Sequence, residues 1–95
     1  MFFQAEEIKE LILDILKNYD VKRASLFGSI ARGDATDKSD VDLLVEFEGK
    51  KSLLDFAGLK LDLEELLHCK VDVLTYNSIN PLLREKILNA QVVIL

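Results

Sequence analysis

The sequence predicts one small α/β (α+β) domain, with a mixed sheet of about four strands and helices mainly on one face. Three observations carry this expectation. Stretches of helical period alternate with short stretches of strand period in the order αβ(loop)βαβαβ. A chain of 95 residues with 49% apolar side chains can fill one modest core and little more. No repeat, low-complexity segment or linker divides it, so residues 1–95 are expected to form a single domain.

Residues 5 to 18 place Ile8, Leu11, Ile12, Ile15 and Leu16 at helical spacing among charged residues, which predicts an amphipathic helix covering the core. Val21 to Phe27 alternates as a strand and stops at Gly28-Ser29, a glycine position that signals a special turn. A small, polar segment follows up to Asp40, with one short helical turn expected at Ser29 to Arg32. Such loops tend to carry function. Val41 to Phe47 forms a second strand, with Val41, Leu43, Val45 and Phe47 on one face and Asp42, Leu44 and Glu46 on the other.

Ser52 and Asp55 form a capping-box pattern with Asp in the usual Glu position, opening a helix to about Leu67. Its leucines exceed what one core-facing stripe needs. The excess suggests either a helix sandwiched within the domain or a surface for self-association or partner contact. Lys70 to Tyr76 reads as a third strand. Asn80-Pro81 starts another helix, and Val92 to Leu95 forms a short terminal strand.

Composition narrows the function. Seventeen acidic against twelve basic residues, a net charge of −5, weigh against stable binding along a nucleic-acid backbone. No apolar run is long enough to span a bilayer, the N-terminus lacks the basic start of a signal peptide, and the lone Cys69 cannot form an internal disulfide. The expected setting is therefore intracellular, in the cytoplasm.

Three features point to chemistry. Gly28-Ser29 sits at a strand-to-helix turn, where backbone N–H groups can meet an anion. It fits neither a Walker loop nor a Rossmann fingerprint. Asp40 and Asp42, two apart on a strand, project from one face with Cα atoms roughly 6 to 7 Å apart. That spacing suits a hard cation or a metal pair, although Asp-x-Asp also occurs at solvated strand starts. Asp72 lies between two valines in a strand otherwise built for burial, so it needs a cation, hydrogen-bond donors or an exposed face. Pairing of the third strand beside the second would bring it to Asp40 and Asp42.

The stretch Leu26-Phe27-Gly28-Ser29-Ile30-Ala31-Arg32-Gly33-Asp34, followed by Ser39-Asp40-Val41-Asp42-Leu43-Leu44-Val45, resembles the minimal nucleotidyltransferases (MNT) of the DNA polymerase β superfamily. Their pattern is Gly-Ser, ten residues, then Asp-x-Asp, and Ile30 to Ser39 supplies the ten. The resemblance covers essentially the whole chain and implies a polymerase-β-like palm. It implies transfer of a nucleoside monophosphate from a nucleoside triphosphate to an acceptor, with release of pyrophosphate. By position, Asp40 and Asp42 would bind two Mg²⁺ ions, and Asp72 would complete the acceptor-side metal site and help deprotonate or align the hydroxyl. Gly28 and Ser29 would meet the phosphates. Arg32 would either touch phosphate or pin the loop to Asp34 or Asp37.

Larger relatives carry extra domains that select the acceptor. The minimal members resemble antitoxins paired with a HEPN toxin, which implies AMP transfer from ATP to a tyrosine of that partner. Two other functions stay open: an antitoxin that neutralises by binding alone, and a small-molecule nucleotidyltransferase. His68 and Cys69 are expected to end a helix and pack rather than bind zinc. Tyr19 and Tyr76 are expected at boundaries, and Lys50, Lys51 and Lys60 as solvated charges or long-range attraction for nucleotide.

Overall fold

Alternating apolar residues at 21–27 and 41–47 form the two central strands, β1 (Val21–Phe27) and β2 (Val41–Phe47). They pair antiparallel, with Leu26 opposite Leu43 and Phe27 opposite Asp42. The computed structural model describes residues 4–33 and 40–95. A third strand, β3 (Val71–Thr75), lies parallel to β2, and β4 (Val92–Val93) pairs antiparallel with β1, giving the order β3-β2-β1-β4. The parallel pair needs a long crossover. Helix α3 (Leu53–Leu67) supplies it.

Helices α1 (Ala5–Asn18) and α3 close one face of the sheet. Ile8, Ile12 and Leu16 of α1 and Leu59, Leu63 and Leu67 of α3 recur every four residues and form two buried stripes. They meet Ala24, Leu26, Val41, Leu43, Val45, Val71 and Val73 in the main core. The expected Ser52–Asp55 cap is present: Asp55 N–H donates to Ser52 Oγ (3.3 Å), and Ser52 N–H donates to Asp55 Oδ2 (3.0 Å).

The short helix α2 (Gly28–Arg32) follows β1, and α4 (Pro81–Asn89) precedes β4. A second, smaller core on the opposite face joins Leu44, Tyr76 and Ile79, with Ile87 and Leu88 of α4 against it. Phe27, the register partner of Asp42, also packs against this cluster. Asp42 and Asp72 lie beside it on that face, partly exposed.

Two expectations need correction. The extra leucines of α3 are not sandwiched: Leu53, Leu54 and Leu61 are 88%, 84% and 64% exposed. One face of the helix meets the sheet, and among the described residues nothing covers these three leucines on the other. Tyr76 lies at a boundary as expected, between β3 and a single 3₁₀ turn. It is buried, and its hydroxyl shares a 2.8 Å hydrogen bond with Ser25 Oγ. β3 also ends at Thr75, one residue earlier than expected, because Tyr76 begins a single 3₁₀ turn. Tyr19 also lies at a helix boundary, where its hydroxyl donates to Asp62.

Candidate active site

Asp42 lies midway across the sheet, opposite Phe27 on one side and Asp72 on the other. Because β2 and β3 run parallel and in register, Asp40-Val41-Asp42 lies alongside Lys70-Val71-Asp72. The valines turn into the core, and the flanking charged residues go to the open face. Asp42 and Asp72 thus meet as expected from their strand positions.

The electrostatics follow from this crowding. Burial, then the charges of Asp72 and Asp40 and a hydrogen bond with Asp72, push the Asp42 carboxyl up to about 6 from the usual 3.8. The Arg32 guanidinium acts in the opposite sense, so the structure brings Arg32 within electrostatic reach of Asp42. Its alternative expected partners, Asp34 and Asp37, lie outside the described residues.

Gly28 is required where it stands. Its φ of +74° is a left-handed conformation, and a Cβ there would collide with the Asp42 carboxylate. The turn therefore brings bare backbone directly against the acid. Ser29 follows in the first turn of α2, partly exposed beside it.

Lys70 was missed by the sequence reading. Its Nζ lies 4.0 Å from Asp40 Oδ2 and 3.9 Å from Asp72 Oδ1. The available signal was the match of Lys-Val-Asp to Asp-Val-Asp, which is informative only once the two strands are known to pair in parallel. Asp42 is hydrogen-bonded to Asp72, and Lys70 lies between Asp72 and Asp40. Among the described residues, no three His, Cys, Asp or Glu side chains form a group able to hold a metal ion.

The donor chemistry nevertheless suits Mg²⁺. Carboxylate oxygens are hard ligands, and Mg²⁺ usually takes one or two of them together with substrate phosphates, without an all-protein cage. Burial and then repulsion by Asp72 and Asp40 raise Asp42, and a cation is already drawn to Asp40 and Asp72, so positive charge is favoured here.

The remaining candidates behave as structural groups. His68 ends α3 in a left-handed conformation (φ 55°), and its N–H donates to Glu64 O. Burial, followed by Asp40 and Glu64, raises the Cys69 thiol, which keeps it neutral. Lys51 is paired with Asp20 at 2.9 Å, so it is not merely a solvated charge. Lys60 lines a groove of about 670 Å³ that also reaches Asp42 and Asp72.

Comparison with known proteins bears on this arrangement. The family described as "Polymerase beta, Nucleotidyltransferase" matches residues 10–95. The chain belongs to that family. A Methanocaldococcus jannaschii relative, MJ0435, provisionally named a protein adenylyltransferase, is 57% identical over 89 residues, covering 94% of this chain and 96% of its own. A solved structure provisionally named a minimal nucleotidyltransferase is 40% identical, with a TM-score of 0.80 over 95% of both chains. A chain from a complex of tri-AMPylated Shewanella oneidensis HEPN toxin with MNT antitoxin shares the fold, with a TM-score of 0.72 and 17% identity. That match covers 95% of this chain and 71% of the other.

This nucleotidyltransferase domain therefore has the mixed four-stranded sheet of its relatives. Among the described residues, no helix is long and apolar enough to cross a membrane.

Proposed function

We propose that the chain is a Mg²⁺-dependent adenylyltransferase, moving AMP from ATP to a tyrosine hydroxyl on a HEPN toxin and so acting as its antitoxin in the cytoplasm. The observation that carries this reading is the in-register meeting of Asp42 and Asp72 beside Gly28. The relative named for protein adenylyl transfer and the tri-AMPylated toxin in a fold-related complex support the choice of AMP and of a HEPN toxin as its acceptor.

In this reading Asp40 and Asp42 hold two Mg²⁺ ions, and Asp72 joins the acceptor-side ion. Bound there, the ions neutralise charge on the triphosphate and on the attacking and leaving oxygens. The bare backbone at Gly28 and the Ser29 hydroxyl orient the phosphates, and Arg32 adds positive charge beside them. Asp72 aligns the acceptor hydroxyl and takes its proton, which passes on to water. The acceptor oxygen forms a bond to the α-phosphorus as the bond from that phosphorus to the α–β bridging oxygen breaks. Pyrophosphate departs with that oxygen and its electron pair.

Incubation with α-labelled ATP, Mg²⁺ and the product of a neighbouring HEPN gene tests the proposal. Label on the partner that disappears with Asp42→Ala and Asp72→Ala supports it. Neutralisation of the partner by both variants, with no label transferred by the wild type, would instead favour an antitoxin that works by covering its partner. The exposed α3 leucines would then be the surface to examine.

A further inference from the structure

Two cavities meet around Tyr76, one of about 390 Å³ and one of about 220 Å³, and Arg23 and Arg84 line both. They lie apart from the acids. Arg23 sits opposite Glu46, four residues beyond Asp42 on β2, or roughly 13 Å along the strand. No step of the proposed transfer uses this region.

Tyr76 holds both guanidinium groups. That of Arg23 lies over its ring, 4.0 Å from the centre, and Arg84 Nη1 donates to its backbone carbonyl at 2.7 Å. The ring is itself fixed, because its hydroxyl shares a buried 2.8 Å hydrogen bond with Ser25 Oγ. A ring face and a carbonyl orient guanidinium groups without neutralising them. Glu46 approaches Arg23 only at Nε, at 3.6 Å, with the two side chains 53% and 41% exposed. Among the described residues, no carboxylate pairs with Arg84. In a chain of net charge −5, two positive groups from β1 and α4 are thus held on one residue with little to balance them. Such a pair favours an anion.

The smaller cavity adds an independent sign of a ligand. Gln91 lines it, and Gln91 Oε1 is buried without a hydrogen-bond partner. Buried acceptors are nearly always paired. Ser25 and Tyr76, also in its lining, use one of their two hydroxyl protons on each other. A hydroxyl group entering here can donate to Gln91 and accept the remaining proton, while Leu88 and Val93 supply an apolar wall for the carbon that bears it.

We propose that the joined cavities form a second ligand site, for a small phosphate monoester that also carries a hydroxyl group. A phosphate monoester offers three terminal oxygens and about two negative charges, enough for guanidinium groups arriving from two elements. A carboxylate is already satisfied by one arginine fork. The phosphate lies between Arg23 and Arg84, and the hydroxyl reaches Gln91. Lys51, on the wall of the larger cavity, is paired with Asp20 and adds long-range attraction.

Titration of the whole, metal-free chain with sn-glycerol 3-phosphate, followed by methyl and amide NMR, tests the site. Methyl phosphate, which lacks the hydroxyls, and glycerol, which lacks the phosphate, are the controls. At millimolar concentration glycerol 3-phosphate should shift the Leu88 and Val93 methyls and the Gln91 side-chain amide, and should raise the melting temperature. Methyl phosphate should bind about tenfold more weakly, and glycerol should leave these signals in place. Arg84→Gln and, on a second element, Arg23→Gln should each weaken glycerol 3-phosphate about tenfold. Gln91→Leu should reduce it to the affinity of methyl phosphate, with methyl phosphate itself changed by less than about twofold. Unmoved Ile8 and Leu63 methyls show that a variant keeps its core.

No response of Leu88, Val93 and Gln91 to glycerol 3-phosphate would overturn the proposal and leave a water-filled cavity. Equal affinity for glycerol 3-phosphate and methyl phosphate would also overturn it, as would folded arginine variants that bind like the wild type. Shifts confined to the Gly28 and Ser29 amides would do the same, since the phosphate would then sit at the transfer site.

Discussion

The two faces of the sheet are built from the same strands and do opposite things. On the helix-covered face, Leu43, Val45, Val71 and their neighbours are sealed by α1 and α3 and carry no charge. On the other, residues one step along in the same strands place Asp42 against Asp72, with Asp42 half-buried and raised to about 6. The contrast teaches that strand alternation divides labour. One face supplies the stability that the crowded acids on the other consume.

The largest expected effect lies on the sealed face. Leu63→Ala removes a fully buried side chain from the centre of the α3 stripe and should cost roughly 2–5 kcal/mol in chemical denaturation. That is a large share of the stability of a domain this size. A loss well below this range would mean that the face is less tightly packed than described.

Gly28→Ala, on the open face, should cost about 1–2 kcal/mol for its left-handed backbone. It should also abolish most transfer, since the added methyl displaces the Asp42 carboxylate. Stability and activity that both survive would show that the turn relaxes without disturbing the acid.

The third effect is one of pH. Asp42 is raised in the folded state from 3.8 to about 6, so between these values the folded chain holds a proton that the unfolded chain has released. Stability of the metal-free protein should therefore fall as pH rises from about 4 to 6 through this group, then level off. Melting curves should show the Asp42-dependent slope in the wild type and lose it in Asp42→Asn.

The smallest effect is expected at Lys70. Its ammonium is largely exposed and about 4 Å from Asp40 and Asp72, a weak pair. Lys70→Gln removes a competitor for the same carboxylates and should lower the Mg²⁺ needed for half-maximal transfer by about two- to fivefold. A higher Mg²⁺ requirement would make Lys70 a helper of the site.

Much of this contrast was legible in the chain. The bounds of β1, β2 and α1 followed from alternation and helical period, because local pattern and final burial agree there. The Asp40-Val41-Asp42 spacing and the odd carboxylate at Asp72 pointed to the candidate site, because acids in apolar strands demand an explanation. Lys70 did not show, since its role depends on strand register between distant segments. The burial of Tyr76 did not show, because it depends on packing with Leu44 and Ile79 on the second face. The α3 leucines signalled an excess of apolar surface without saying whether the chain itself would cover it.

The central claim is that the open face gives up stability to hold a transfer site, and Asp42→Asn tests it directly. Thermal melting without metal at neutral pH and labelled AMP transfer with Mg²⁺ should be measured on the same preparation. The account predicts a melting temperature equal to or above that of the wild type, because a crowded charge is removed, together with transfer reduced by about 10³-fold or more. A variant that melts lower, or one that still transfers AMP at the wild-type rate, would contradict it.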